Sequence, residues 1–306
     1  MGTSTAARGL GWTALAAGAG LAYALAEAHR FTLRRFTVPV LPPGEAPLRV
    51  LHLSDLHLTP HQDDKIAWLR ELAELEPHLV VDTGDNWAHR DALPALAHAL
   101  DPLLSVPGAF VMGSNDYFAP VVKNPARYLM PDDGRRVRPE HPRLPADALA
   151  RLFTDAGWVD LNNRRDVVVA GGRRLSLVGV DDPHLELDRF PDGTHDADAV
   201  LEIGVAHAPY RRVLDAMQHD GAQLILAGHT HGGQLAVPGW GALVTNCDLD
   251  TRRAKGLHGW PAARPDQPKG EDSVWLHVSA GLGTSPFTPV RFACPPEATL
   301  LTLVAR

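Results

Sequence analysis

Residues 223–234 read QLILAGHTHGGQ. Leu224 to Ala227 form a short apolar run of the kind that makes a buried strand. The chain then turns polar at once, with His229 and His231 two positions apart among Gly228, Gly232 and Gly233. Glycine permits a tight backbone path, so both imidazoles can reach one compact centre. Alone, the pattern reads equally well as a metal site or as a glycine-rich turn carrying two structural histidines. Its meaning depends on what the other strand ends carry.

Four other apolar runs end in similar chemistry. LRVLHLS (48–54) runs into Asp55-Leu56-His57, where alternate residues of an extended segment put a carboxylate and an imidazole on one side. LVVDT (79–83) runs into Gly84-Asp85-Asn86, and AFVM (109–112) into Gly113-Ser114-Asn115-Asp116-Tyr117. LEIGVA (201–206) is followed by His207-Ala208-Pro209. Each motif has a plain reading as turn chemistry or a structural histidine. Five in order, each supplying carboxylate, imidazole or amide, make coincidence a poor explanation. Open α/β sheets gather their sites at the carboxyl ends of strands. Mixed nitrogen and oxygen donors without thiolate suit Mn, Fe or Zn better than Mg or Ca.

Around these motifs the first half alternates strand and helix patterns, with helices expected over 62–75 and 91–100. That alternation predicts parallel pairing. Further strands are expected at 166–170, 174–180, 201–206, 223–227, 275–279 and 299–304, and helices at 146–156 and 209–217. The second half has more strands per helix, so mixed pairing is expected there. Gly179-Val180-Asp181-Asp182 lies at one more strand end and reads as a turn or as an orienting partner for the ligand histidines. Residues 118–145 carry Lys123, Arg127, Arg135, Arg136, Arg138 and Arg143, and read as a cationic lid or as a solvated loop.

The 306 residues are 45% hydrophobic and 21% charged, which fits one large globular domain with a short appendage. A formal net charge of -7 gives no support for nucleic-acid binding, and none is expected. Cys247 and Cys294 make no zinc pattern and too few pairs for a disulfide framework.

The N-terminal 1–35 segment stands apart. Gly9–Ala28 is apolar apart from Glu27 and just long enough to span a bilayer. It reads as a membrane anchor, a signal peptide ending at Ala26-Glu27-Ala28, or a surface helix. Arg30, Arg34 and Arg35 follow it and favour the cytoplasmic face of a membrane over secretion. Membrane association is the expectation. Residues 36–47, with Pro39, Pro42, Pro43 and Pro47, read as a linker to a catalytic domain over 48–306.

The five motifs together resemble the calcineurin-like metallophosphoesterase superfamily, in particular its small bacterial membrane-linked members. The resemblance covers about 48–304, and GHTHGGQ is its most specific part. It implies an α/β fold of two β-sheets packed face to face and flanked by helices, an αββα arrangement. It implies that Asp55, His57 and His231 bind one metal, that His207, His229 and an asparagine bind the other, and that Asp85 bridges them. The family segment Gly-Asn-His-Asp/Glu is replaced here by Gly113-Ser114-Asn115-Asp116. A one-residue shift makes Asn115 the ligand and puts Asp116 where a leaving-group histidine stands. The catalytic candidates are therefore Asp116, Asn115 and His207.

The activity this implies is hydrolysis of a phosphodiester or pyrophosphate by hydroxide activated between two divalent ions (Mn, Fe or Zn). A lipid-linked phosphate ester is one candidate substrate. A non-catalytic metal-binding scaffold and a nuclease are the alternatives.

Overall fold

In a computed structural model of the chain, residues 3–122 and 141–306 are described, and the side chains of 3–11, 13 and 14 are not. Of the expected cationic lid, Lys123 to Arg138 therefore lie outside the described residues, while Arg143 packs over the Phe118 ring.

The chain opens with α1 (Thr3–Glu27) and an edge strand β1 (Thr32–Leu41). Then come β2 (Leu48–Leu53), α2 (Asp63–Glu71), β3 (Leu79–Asp82), α3 (Leu93–Leu104) and β4 (Gly108–Phe110). A single turn α4 (Ser114–Tyr117), α5 (Ala146–Asp155) and β5 (Val159–Asp160) complete the first half. The second half runs β6 (Arg164–Ala170), β7 (Arg173–Gly179), β8 (Leu201–Ala206), α6 (Arg211–Asp220) and β9 (Leu224–Ala227). It continues with a small hairpin, β10 (Ala236–Val237) and β11 (Gly241–Ala242), and then β12 (Gly256–Trp260), β13 (Val274–Val278) and β14 (Glu297–Ala305).

Two six-stranded sheets result, ordered β1-β14-β2-β3-β4-β5 and β12-β13-β9-β8-β7-β6. The run β2-β3-β4-β5 is parallel, as the alternating pattern of the first half predicts. The second sheet is mixed as expected, with β7-β8-β9-β13 parallel and β6 and β12 antiparallel at its edges. Period-two burial sorts each strand between two layers. Leu48 and Val50 face the inter-sheet core with Leu177, Ile203 and Leu226. Leu51 and Leu53 face outward, under α2, α3 and α5, with Leu69, Leu100 and Phe153. On the far side Val213, Leu214 and Met217 of α6 cover Ile225, Leu276 and Val278. This is the expected αββα sandwich.

The linker reading of 36–47 is corrected for residues 36–41, which belong to β1 and pair in parallel with β14. Pro39 misled the sequence reading because proline cannot donate to a ladder. At a sheet edge beside a bulge, where the register shifts between Pro39 and Leu41, that defect is tolerated. The expected membrane span is not supported either: among the described residues no helix is long and apolar enough to cross a membrane. Instead the end of α1 is tied to the domain. The Arg291 N–H donates to the Ala24 carbonyl (2.9 Å), and Glu27 accepts from the Cys294 N–H (3.3 Å). Neither Cys247 nor Cys294 forms a disulfide.

Register explains why the motifs meet. Leu53 lies beside Asp82, Asp82 beside Phe110, and Ala206 beside Ala227. The residues that follow these strands therefore leave the two sheets at one common edge.

Candidate metal centre

Asp55, His57 and Asp85 emerge first, just after β2 and β3. Asp55 follows β2, with its N–H on the Gly84 carbonyl (2.8 Å), and the His57 N–H donates to the Asp85 carbonyl (2.9 Å). These bonds lock the two loops edge to edge. Asp55, His57, Asp85, His229 and His231 all have φ between +40° and +67°. That region is costly for residues with a Cβ and tends to mark functional sites.

The Asp85 carboxylate sits between two imidazoles. Its Oδ2 is 3.4 Å from His57 Nε2, and its Oδ1 is 3.6 Å from His207 Nε2. Beyond His57, His231 Nε2 lies 3.2 Å from His57 Nε2 and 3.4 Å from Asp55 Oδ1. Beyond Asp85, His229 Nδ1 is 3.3 Å from His207 Nε2. Asn115 closes that side: its backbone N–H donates to Asp85 Oδ1 (2.7 Å) and its side-chain amide to Oδ2 (2.6 Å). Asp55, His57 and His231 form one group able to hold an ion, and Asp55, Asp85 and His207 another; in each, the donor atoms lie within 4.8 Å of one another.

The outer ring nitrogens fix the inner ones. His207 Nδ1 meets the Thr83 carbonyl (2.7 Å), His229 Nε2 the Asn246 carbonyl (3.1 Å) and His231 Nδ1 the Gly283 carbonyl (3.2 Å). A carbonyl only accepts, so the His207 and His229 nitrogens carry the hydrogen. In these two rings, when neutral, the inward nitrogen then presents a lone pair, as a metal ligand must. His231 Nδ1 stands between the Gly283 carbonyl and the Arg291 guanidinium (3.3 Å), which leaves its tautomer open.

Two glycines let the parts approach. A Cβ on Gly113 would stand 2.3 Å from Asp85 Oδ1 and 2.6 Å from His207 Cε1. One on Gly228 would stand 1.8 Å from Ser54 Oγ.

Burial pulls the His57 pKa down to about 4 and takes His231 well below the imidazole range. Burial opposes charge on His207 too, but Asp85, Asp55 and Asp182 outweigh it and push His207 up to about 9. Asp55 is raised by burial to about 6. Asp85, although buried, is held below the usual carboxylate range by His207 and His57.

The donor set fits divalent ions. Asp55 Oδ1 is buried and meets no hydrogen-bond donor among the described residues. The Nε2 atoms of His57 and His231 stand 3.2 Å apart, close enough to share either one hydrogen or one ion. Two donors sharing an ion at about 2.1 Å each are held at about this separation.

Asp116 corrects an expectation. It is fully buried, and its carboxylate points into the protein, accepting the N–H groups of Asp85 (2.8 Å), Asn86 (2.8 Å) and Gly113 (2.9 Å). It braces the loops that carry Asp85 and Asn115 and cannot reach a leaving group. Asp182 is likewise no orienting partner: it accepts from the His184 N–H (2.9 Å) and acts on His207 only through its field.

Sequence reasoning missed Arg291. Its guanidinium is fully buried and donates to the carbonyls of His231 (3.0 Å), Gly281 (3.0 Å) and Gly283 (2.7 Å). It stiffens the loop beneath His231. Only its position between Val290 and Phe292, an isolated charge between apolar residues, hinted at this.

Adjoining groups of carboxylate and imidazole ligands, at the strand ends of a two-sheet αββα sandwich, define a metal-dependent phosphoesterase. The chain belongs to the calcineurin-like phosphoesterase family, which it matches over residues 48–233. It is 26% identical over 289 residues to an uncharacterized protein, YpbG, of Bacillus subtilis (strain 168), covering 92% of this chain and 90% of that protein. It is 27% identical over 283 residues to the phosphodiesterase YaeI of Escherichia coli (strain K12), covering 90% and 88%. Among solved structures it resembles a 5'-nucleotidase precursor from Thermus thermophilus, at 16% identity and a TM-score of 0.41. That alignment covers 84% of this chain and 55% of the nucleotidase.

Proposed function

We propose that this chain hydrolyses phosphodiesters or pyrophosphates with two divalent transition-metal ions held on either side of Asp85. The observation behind this reading is the Asp85 carboxylate, whose two oxygens face His57 and His207 separately, 3.4 and 3.6 Å away. Asp55, His57 and His231 would hold one ion, and His207, His229 and Asn115 the other. When bound, two such ions supply hydroxide near neutral pH and positive charge beside the phosphoryl oxygens. The oxygen and nitrogen ends of the Asn115 amide exchange by a simple flip, so its oxygen can serve the second ion. The donor set favours Mn, Fe or Zn.

The chain's own residues orient and exclude. Carbonyls fix His207, His229 and His231, and Asp116 clamps the loops that carry Asp85 and Asn115. Neither Asp116, engaged with backbone N–H groups, nor the neutral amide of Asn115 delivers a proton to a leaving group. The reading therefore favours esters whose leaving group departs unprotonated, such as pyrophosphates and diesters of acidic alcohols. The name of the relative YaeI, a phosphodiesterase, points the same way.

The test strips the full chain with chelator, reloads it with Mn(II), Fe(II) or Zn(II), and offers bis(4-nitrophenyl) phosphate and 4-nitrophenyl phosphate. Ion-restored hydrolysis of the diester in excess of the monoester is expected. Tightly bound ions with no turnover of either compound would favour a non-catalytic metal-binding protein.

A second reading concerns location. Trp240, at the tip of the β10–β11 hairpin, is 81% exposed, and Trp12 on α1 is 71% exposed. Between these elements lies an apolar hollow lined by Leu21, Ala24, Val237, Leu243 and Phe292. An exposed tryptophan at the tip of a hairpin that lines an apolar hollow suits the surface of a bilayer. We infer that this face seats the enzyme on a membrane, where a lipid-linked phosphate ester would be within reach. Flotation with anionic phospholipid vesicles is expected, with loss on Trp240→Ser; a wild-type chain that stays with the soluble fraction removes this reading.

A further inference from the structure

Asp55 carries a feature that ligation alone does not require. Its Oδ2 accepts the Ser54 hydroxyl (2.5 Å) and the His229 N–H (2.9 Å), while Oδ1 alone faces His231. Behind Ser54 lies an unbroken line of buried polar groups. Thr83 Oγ1 is 2.7 Å from Ser54 Oγ, His52 Nε2 is 3.0 Å from Thr83 Oγ1, and His277 Nδ1 is 2.9 Å from His52 Nδ1. All four side chains are buried, and His52, Ser54, Thr83 and His277 are each at 0% exposure.

The direction of every hydrogen follows from the Asp55 end. The carboxylate only accepts, so Ser54 must donate to it. Ser54 Oγ is then an acceptor, and Thr83 donates to it rather than to the Leu53 carbonyl, which is 3.4 Å away. Thr83 Oγ1 must in turn accept, so His52 carries its hydrogen on Nε2. Burial takes His52 down to about 3, and His277 also lies well below the imidazole range, so both rings are neutral. His52 Nδ1 is therefore bare and accepts from the Nδ1 hydrogen of His277. His277 Nε2 ends the line as a bare nitrogen, without a hydrogen-bond partner among the described residues.

We infer that His277, His52, Thr83 and Ser54 form a one-way hydrogen-bond chain that turns the Asp55 carboxylate so that only Oδ1 is presented to the metal. They are positioning residues. The inference rests on the two-ion reading of the site and adds residues to it. The line ends at the buried His277 Nε2, which has no hydrogen-bond partner among the described residues, with the Phe36 ring 5.6 Å from that of His277. It also ties the site to the packing of the sandwich. His52 lies on β2 of one sheet and His277 on β13 of the other, so their contact crosses the inter-sheet core. Thr83 holds both halves of the site, Asp55 through its hydroxyl and His207 through its carbonyl. The close approach of Gly228 to Ser54 gives the first glycine of GHTHGGQ its reason.

Thr83→Val removes the hydroxyl at nearly constant shape and leaves the carbonyl in place. The full chain, freed of ions, is titrated calorimetrically with Mn(II) alone. The wild type is expected to take two ions; Thr83→Val should weaken the site that contains Asp55 by about 10–100-fold, leave the other unchanged, and recover in Thr83→Ser. Equal affinities in wild type and Thr83→Val overturn the chain. A wild type that takes up no ion overturns the two-ion reading itself and this inference with it. A second measurement needs no variant: nitrogen-15 spectra of the wild-type histidines should place the hydrogen of His52 on Nε2 and that of His277 on Nδ1. A hydrogen on Nδ1 of His52 overturns the chain even if Thr83→Val fails to fold.

Discussion

On the reading proposed above, the two sides of the metal centre meet at Asp85, whose oxygens face His57 and His207 separately, and the two sides differ in charge. Around His57 and His231 burial dominates: His57 is held down to about 4 and His231 lower still, so their lone pairs are ready at neutral pH. Around His207 carboxylates dominate, and the ring is held up to about 9. The first half is a preformed ligand set. The second holds a proton in the place of a cation and must release it when an ion binds. The same residue type does opposite things because buried acids face His207 from three sides, whereas His57 has Lys65 and Arg291 acting against its charge.

The largest effect should come from removing the shared group. Asp85→Asn should lower turnover by at least about 10²-fold, the scale for losing one preorganised charge-stabilising group, and weaken ion binding in both halves. Loss from one half only would mean that Asp85 does not join them. Gly113→Ala separates the halves. Its Cβ would press on Asp85 Oδ1 and on His207, so ion binding on the His207 side should fall about tenfold or more while the Asp55 side changes less. An equal loss on both sides would erase the distinction.

The pH dependence sharpens the same comparison. A protonated imidazole cannot ligate. Below about pH 9 the His207 side must therefore give up a proton, and its apparent ion affinity should rise about tenfold per pH unit between 7 and 9. The Asp55 side, with His57 near 4 and Asp55 near 6, should be flat over that range. Calorimetric titration at three pH values, in buffers of different ionisation enthalpy, reads both slopes and the protons released. The smallest difference is expected for Asp116→Asn. Because Asp116 braces both loops and touches no substrate, the variant should slow good and poor leaving groups by the same factor. It should also lose roughly 1–3 kcal/mol of stability, the scale for leaving a buried N–H group without its acceptor. A selective loss on poor leaving groups would return Asp116 to an acid role.

Much of this site was legible in the sequence because strand-end motifs carry it. Parallel strands expose their carboxyl ends at one edge, so five short motifs in order sufficed to assemble Asp55, His57, Asp85, Asn115, His207, His229 and His231. What stayed hidden depended on direction in space. Asp116 is adjacent to a ligand candidate, yet one helical turn aims it at backbone N–H groups behind the site. Arg291 and His277 act from positions with no local pattern. The β1 strand was hidden by Pro39, which an edge tolerates. His52 sat in plain view within LRVLHLS but read only as a polar residue in a buried strand, because its partner lies 225 positions away.

The central claim is that two ions flank Asp85. The most direct test is anomalous diffraction at the manganese edge from crystals of the full chain grown with Mn(II). The account predicts two peaks about 3.5–4 Å apart, one beside Asp55, His57 and His231, the other beside His207 and His229, with an Asp85 oxygen on each. A single peak, or two peaks with Asp85 touching only one, would contradict it.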